Sequence, residues 1–149
     1  MEDIQKLVTN KYLYVPLLLW FCIQVFKVIC DLVKTKKFNF KRIMGAGGMP
    51  SSHTAVVTSL AMLVGKSEGF DSAMFAVALV FAMVVMYDAA GVRRAAGKQA
   101  TLLNKLVENY PNSNIIVTEK LVEVLGHTPF QVLVGAVIGI LVGALYGIF

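Results

Sequence analysis

Apolar residues in this chain gather in long runs separated by short polar stretches, the pattern of helices that meet apolar surroundings on most sides. The first run, residues 12–33, carries Tyr12, Tyr14 and Trp20 toward one end and contains two charged residues, Lys27 and Asp31. These stand at i and i+4, where they pair on one helix face, or Lys27 snorkels from near a helix end. A second run, residues 54–64, is short for a membrane crossing unless the preceding loop is itself sunk into the membrane surface and covered by protein. Residues 72–87 predict a third helix. Residues 101–125 are more polar, with Leu102, Leu103, Leu106 and Val107 at helical spacing around a turn at Pro111, and predict two amphipathic surface helices. The last run, residues 132–149, places Gly135, Gly139 and Gly143 four residues apart, a spacing that lets helices pack closely in lipid.

Composition strengthens the membrane reading. The chain has 149 residues, 57% of them hydrophobic and 15% charged, and a mean hydropathy of +0.70. The expected fold is all-α: a single domain over residues 1–149, an integral membrane bundle of about four membrane helices with short amphipathic surface helices. The first apolar run is too long for the h-region of a signal peptide and lacks a small-x-small cleavage site, so it is expected to stay in the membrane. Cys22 and Cys30 both lie inside it and read as packing residues, not as a disulfide framework or a zinc site.

Charge gives an orientation. If all four helices cross, residues 34–48 and 91–126 share one side and carry ten of the fourteen Lys and Arg residues, against three on the other side. The excess predicts that this side is cytoplasmic, with both termini outside. The basic run containing Lys34, Lys36, Lys37, Lys41 and Arg42 reads first as a topology signal or a contact for anionic head groups; the alternative is that one of its cations reaches a phosphate.

Candidate chemistry concentrates on that side. Gly45, Gly47 and Gly48 lead through Pro50, Ser51, Ser52 and His53 into the second apolar run. Glycines admit a ligand close to the backbone, and the first turn of the helix offers free N–H groups and the positive end of its dipole, a setting for an anion. Gly-rich loops with serine caps are also common at membrane-helix entrances, and no Gly-Lys-Ser/Thr follows to make a Walker A loop. After the third helix come Tyr87, Asp88, Gly91, Arg93, Arg94 and Lys98. If the helix continues, Tyr87, Gly91, Arg94 and Lys98 share a face. The plain reading of these cations is a solvated helix end; the alternative is an anion clamp with Asp88 holding an arginine in place. The only two histidines, His53 and His127, each open an apolar run.

These residues resemble the type 2 phosphatidic acid phosphatases, in particular their small divergent branch related to acid phosphatases and vanadium-dependent haloperoxidases. Pro50-Ser51-Ser52-His53 is similar to the family's Pro-Ser-Gly-His, and His127-x-x-x-Gln131 to its His-x-x-x-Asp; the run from Tyr87 to Ala100, with Asp88, Gly91, Arg93 and Arg94, is similar to the divergent branch specifically. The resemblance implies His127 as the nucleophile that takes the phosphoryl group and His53 as the acid that protonates the departing alcohol. Asp88 would supply a carboxylate. Gly48, Ser51, Ser52, Arg93, Arg94, Lys98 and Lys41 would hold phosphate oxygens. The chain departs from the family in three places: Lys41 and Arg42 replace the Arg-Pro of the lysine motif, Leu121 stands at the position of an arginine, and Gln131 replaces the aspartate that orients the nucleophile.

Such a site needs positioning and charge compensation more than special reagents, and imidazole serves as nucleophile or proton donor near neutral pH. The expected activity is a lipid phosphate phosphatase acting on phosphatidylglycerophosphate or phosphatidate, without metal or cofactor. Undecaprenyl diphosphate is the alternative substrate, and a non-catalytic phospholipid-binding or transport protein is the alternative class. The expected partners are a membrane phospholipid substrate and the lipid bilayer, with a homo-oligomer left open and no nucleic acid.

Overall fold

The structure is a computed structural model that describes residues 1–36, 48–109, 120–123 and 125–147. Its described elements are helical: α1 (Glu2–Val8), α2 (Lys11–Thr35), α3 (Ser52–Glu68), α4 (Ala73–Tyr87), a π turn (Asp88–Val92), α5 (Arg93–Asn109) and α6 (Pro129–Leu145). Two continuous helices, Lys11–Thr35 and Ala73–Asn109, are long and apolar enough to cross a membrane, and Pro129–Leu145 is a shorter apolar helix. The expectation of an all-helical membrane protein holds at that level.

α3 is the centre of the packing, against α6, α4 and α2. It runs well beyond the expected residues 54–64. The added residues, 52–53 and 65–68, include Ser52, His53, Lys66, Ser67 and Glu68, which an apolar run does not contain; within the helix the core face carries buried Ser52, Thr54, Thr58 and Ser59. Several of these hydroxyls are satisfied locally: Thr58 donates to the Thr54 carbonyl at 2.8 Å and Ser59 to that of Val56 at 2.8 Å. Hydroxyls bonded in this way sit in an apolar bundle at little cost.

The glycine stripe of α6 explains the tightest interface. A Cβ at Gly135 would press on the Ser51 carbonyl, at Gly139 on the Ala55 carbonyl and Thr58 hydroxyl, and at Gly143 on the Ser59 carbonyl and Met62. The four-residue repeat on α6 therefore meets the four-residue repeat of α3 backbone, as small residues do when lipid supplies no hydrophobic drive. At the far end, Lys66 on α3 donates to the carbonyls of Ala144 at 2.6 Å and Tyr146 at 2.9 Å, so a cation closes the C-terminus of α6.

α4 differs. Met74, Val77, Val80, Phe81, Met83 and Val84 are all exposed, as expected of a helix presenting its sides to lipid. It does not stop at Tyr87. Through the π turn it continues into α5, and the 37 residues together rise about 55 Å, more than a hydrocarbon core of about 30 Å. The predicted pair of surface helices is corrected accordingly. The first is the distal part of α5, while residues 120–123 and 125 are non-helical and lie along α5; residues 110–119 are outside the described residues. Asn104 stitches that segment down, its amide donating to the Leu121 carbonyl at 2.9 Å and accepting from the Leu121 N–H at 3.1 Å.

Candidate active site

Both histidines come to the same end of the bundle. His53 lies in the first turn of α3, whose N-cap is Ser51, and His127 immediately precedes Thr128, the N-cap of α6. They line one cavity of about 630 Å³. Leu17 and Trp20 of α2, Val56 and Val57 of α3, and Phe81, Val84 and Val85 of α4 form its apolar wall, with Asp88 and Arg93 beside the imidazoles. A largely apolar pocket with a few convergent polar groups is the usual form of a ligand site.

The π turn sets the polar groups. In an α-helix, residues five apart point about 140° away from each other; one wide turn brings them back toward a common side. Arg93 Nε accordingly donates to Asp88 Oδ2 at 2.5 Å, five residues away. The expected face of Tyr87, Gly91, Arg94 and Lys98 is broken by the same insertion. Arg93 joins the two histidines, whereas Arg94 and Lys98 line a separate cleft of about 320 Å³ with Gly48, Thr101, Glu123 and Gln131. His127 borders both spaces.

His127 is buried, at 4% exposure, and His53 is exposed. Burial and, next, the charge of Lys27 hold the His127 imidazole below its usual range; the Gln131 side chain and the Gly48 carbonyl oppose this. Neither makes a well-formed bond to Nδ1, which is buried without a hydrogen-bond partner among the described residues. Gln131 is instead engaged in a capping box. Its side-chain oxygen accepts from the Thr128 N–H at 3.0 Å, and its own N–H donates to Thr128 Oγ1 at 3.3 Å.

The other expected site residues are placed as follows. Ser51 is fully buried, and its hydroxyl oxygen accepts from the Thr54 N–H at 3.4 Å and the Thr54 hydroxyl at 2.9 Å. That is a helix cap, and neither Ser51 nor the buried Ser52 lines the cavity. Lys41 lies outside the described residues. Leu17 and Trp20 were not expected at the site from the sequence, although their i, i+3 spacing marks one face of α2. Lys27 is buried at 5% exposure, against the snorkelling reading.

With this geometry in view, residues 8–142 match the family described as the Divergent PAP2 family, and the chain belongs to it. It is also 41% identical over 150 residues to the "Uncharacterized membrane protein YuiD" of Bacillus subtilis (strain 168), an alignment covering 91% of this chain and 93% of that protein. No solved structure matches it. Membership of that family and two apolar helices of spanning length make this a membrane protein with a resemblance to the phosphatidic acid phosphatases.

Proposed function

We propose that the protein is a lipid phosphate phosphatase that hydrolyses a phosphomonoester such as phosphatidylglycerophosphate or phosphatidate through a phosphohistidine. The observation that carries this reading is the meeting of His53, His127 and the Asp88–Arg93 pair at one end of a single apolar cavity. An acyl tail fits the Leu17, Trp20, Phe81 and Val84 wall, and the phosphate fits the polar end.

In this mechanism an imidazole nitrogen of His127 attacks phosphorus while the bond to the lipid alcohol breaks. His53, protonated, gives its proton to the departing alkoxide. A water then attacks the phosphohistidine, His53 takes the water's proton, and inorganic phosphate leaves with both imidazoles restored. Arg93, held by Asp88 through Nε, keeps its terminal nitrogens for phosphate oxygens. Four crossings with this end cytoplasmic suit a glycerolipid phosphate made on that side.

One observation favours a second reading. Gln131 is spent on capping α6, so a protein that binds or moves phospholipid without cleaving it also agrees with the site. The test is phosphate release by detergent-purified protein from phosphatidylglycerophosphate, phosphatidate and undecaprenyl diphosphate, with His127→Ala as control. Release that vanishes in the variant supports the enzyme and names its substrate. No release from any substrate by folded protein moves the assignment to binding or transport.

A further inference from the structure

Among the described residues, the proposed mechanism leaves one buried ionisable side chain unused. Lys27 lies in the membrane helix α2 at 5% exposure, one turn from Gln24, itself buried at 7%. Leu17, Trp20, Gln24 and Lys27 fall within a stripe about 80° wide on α2, given 100° per residue. The first two already line the histidine cavity. Helical side chains lean toward the N-terminus of their helix, so the long stem of Lys27 leads back toward Gln24 and Trp20.

The level of Lys27 in the bundle is also fixed. Cys22, Ile23 and Phe26 border a groove with Met49 and Pro50, so this part of α2 runs beside the entrance of α3, where His53 sits. His127 is also buried, and its Nδ1 finds no hydrogen-bond partner among the described residues. The helix face that carries Lys27 thus lines the histidine cavity through Leu17 and Trp20, about two to three turns away, and runs beside the entrance of α3.

We propose that Lys27 is a phosphate-binding residue of this site, its buried ammonium compensating the charge of a phosphate held at His53 and His127. The charge of Lys27 already acts on the His127 imidazole, holding it toward the neutral form. An ammonium at depth in a membrane helix is costly and is kept where it meets an anion or lines a polar path. The competing account is purely structural, an ion pair with Asp31 one turn further along α2. The inference rests on the phosphate-site reading but not on hydrolysis, since a binding protein would need the same cation.

Orthovanadate, a phosphate analogue, separates the two. Its binding to purified protein is measured by calorimetry for wild type, Lys27→Met, Lys27→Arg and Asp31→Asn, each checked by thermal unfolding, alongside phosphate release. We expect Lys27→Met to weaken orthovanadate binding by about tenfold or more and Lys27→Arg to recover most of it, as for a charge-assisted contact. Asp31→Asn should leave binding unchanged. Where there is turnover, the loss in Lys27→Met should appear in KM as well as kcat. Binding within about twofold of wild type in a folded Lys27→Met, or equal loss in Asp31→Asn, overturns the inference while active wild type preserves the phosphatase reading. Lys27-dependent binding by a wild type that cleaves nothing does the reverse. A wild type that binds no orthovanadate overturns both.

Discussion

The N–H of His127 donates to the carbonyl of Ala89 at 2.9 Å, so the expected nucleophile is pinned to the π turn between α4 and α5. The bond exists because the turn is wide. The Arg93 N–H, which an α-helix would give to Ala89, goes to Asp88 instead. One inserted residue thus frees a carbonyl for His127 and brings Arg93 round to Asp88. Such insertions are frequent at functional sites.

Gly126 makes that contact sterically possible. Its φ is +82°, and a Cβ there would collide with the backbone of Arg93 and Arg94. Gly126→Ala is expected to destabilise the protein by about 1–3 kcal/mol and to lower activity further by displacing His127. Gly91, in the same π turn, has open space around it, so Gly91→Ala should change stability by no more than about 1 kcal/mol. Thermal unfolding of both variants in the same detergent checks the pair. Equal effects would show that the close crossing over α5 does not position His127.

The two histidines should fail differently. His127→Ala removes the proposed nucleophile and should abolish release from every phosphate ester. His53→Ala removes only the proposed proton donor, worth about 100-fold or more with a lipid alcohol. With an aryl phosphate, whose phenolate leaves without help, the His53→Ala defect should shrink to about tenfold or less. An identical defect on both leaving groups would remove His53 from the acid role.

Much of this arrangement was legible in the sequence, for identifiable reasons. Residues 12–33 and 72–87 were found because lipid-facing helices are apolar all round, and the α6 glycines because their four-residue repeat has one main use in lipid. The ends of α3 were missed because Ser52, His53, Lys66, Ser67 and Glu68 are polar and fall outside any apolar run, although the helix continues through them. The π turn had no visible signal. α-Helical spacing placed Arg94 on a face with Tyr87, Gly91 and Lys98 and left open which arginine Asp88 holds. Gln131 read as a substituted catalytic position, but Thr128-x-x-Gln131 is also a capping-box sequence, and that is the bond it makes.

Burial gives activity a definite pH dependence. The His127 imidazole titrates below its usual value of about 6.5, first because it is desolvated and next because of Lys27 and, more weakly, His53. A nucleophile must be neutral, so in its proposed role His127 should be competent at pH 7, with protonation removing it as pH falls through its lowered value. The acid limb of kcat/KM assigned to the nucleophile should therefore lie below pH of about 6.5. Single-turnover phosphohistidine formation between pH 4.5 and 8 isolates this step. An acid limb above the usual imidazole value would contradict the buried, neutral nucleophile.

The sequence left open which arginine meets phosphate, and the π turn separates the candidates. Arg93 borders the cavity with His53 and His127, while Arg94 borders the cleft with Lys98 and Gly48. The Asp88–Arg93 pair is substantially exposed, with side-chain exposures of 36% and 47%, so its contribution to stability is at most about 1 kcal/mol. Its value is orientation. Arg93→Ala should lower kcat/KM by about tenfold or more with little change in unfolding temperature. Arg93→Lys should rescue poorly, because an ammonium cannot bond Asp88 through one nitrogen and offer others to phosphate. Arg94→Ala, on the other side of His127, should cost less than about threefold. Kinetics of the three variants on the substrate cleaved by wild type decide it, and a larger defect at Arg94 than at Arg93 would transfer the phosphate to the second cleft.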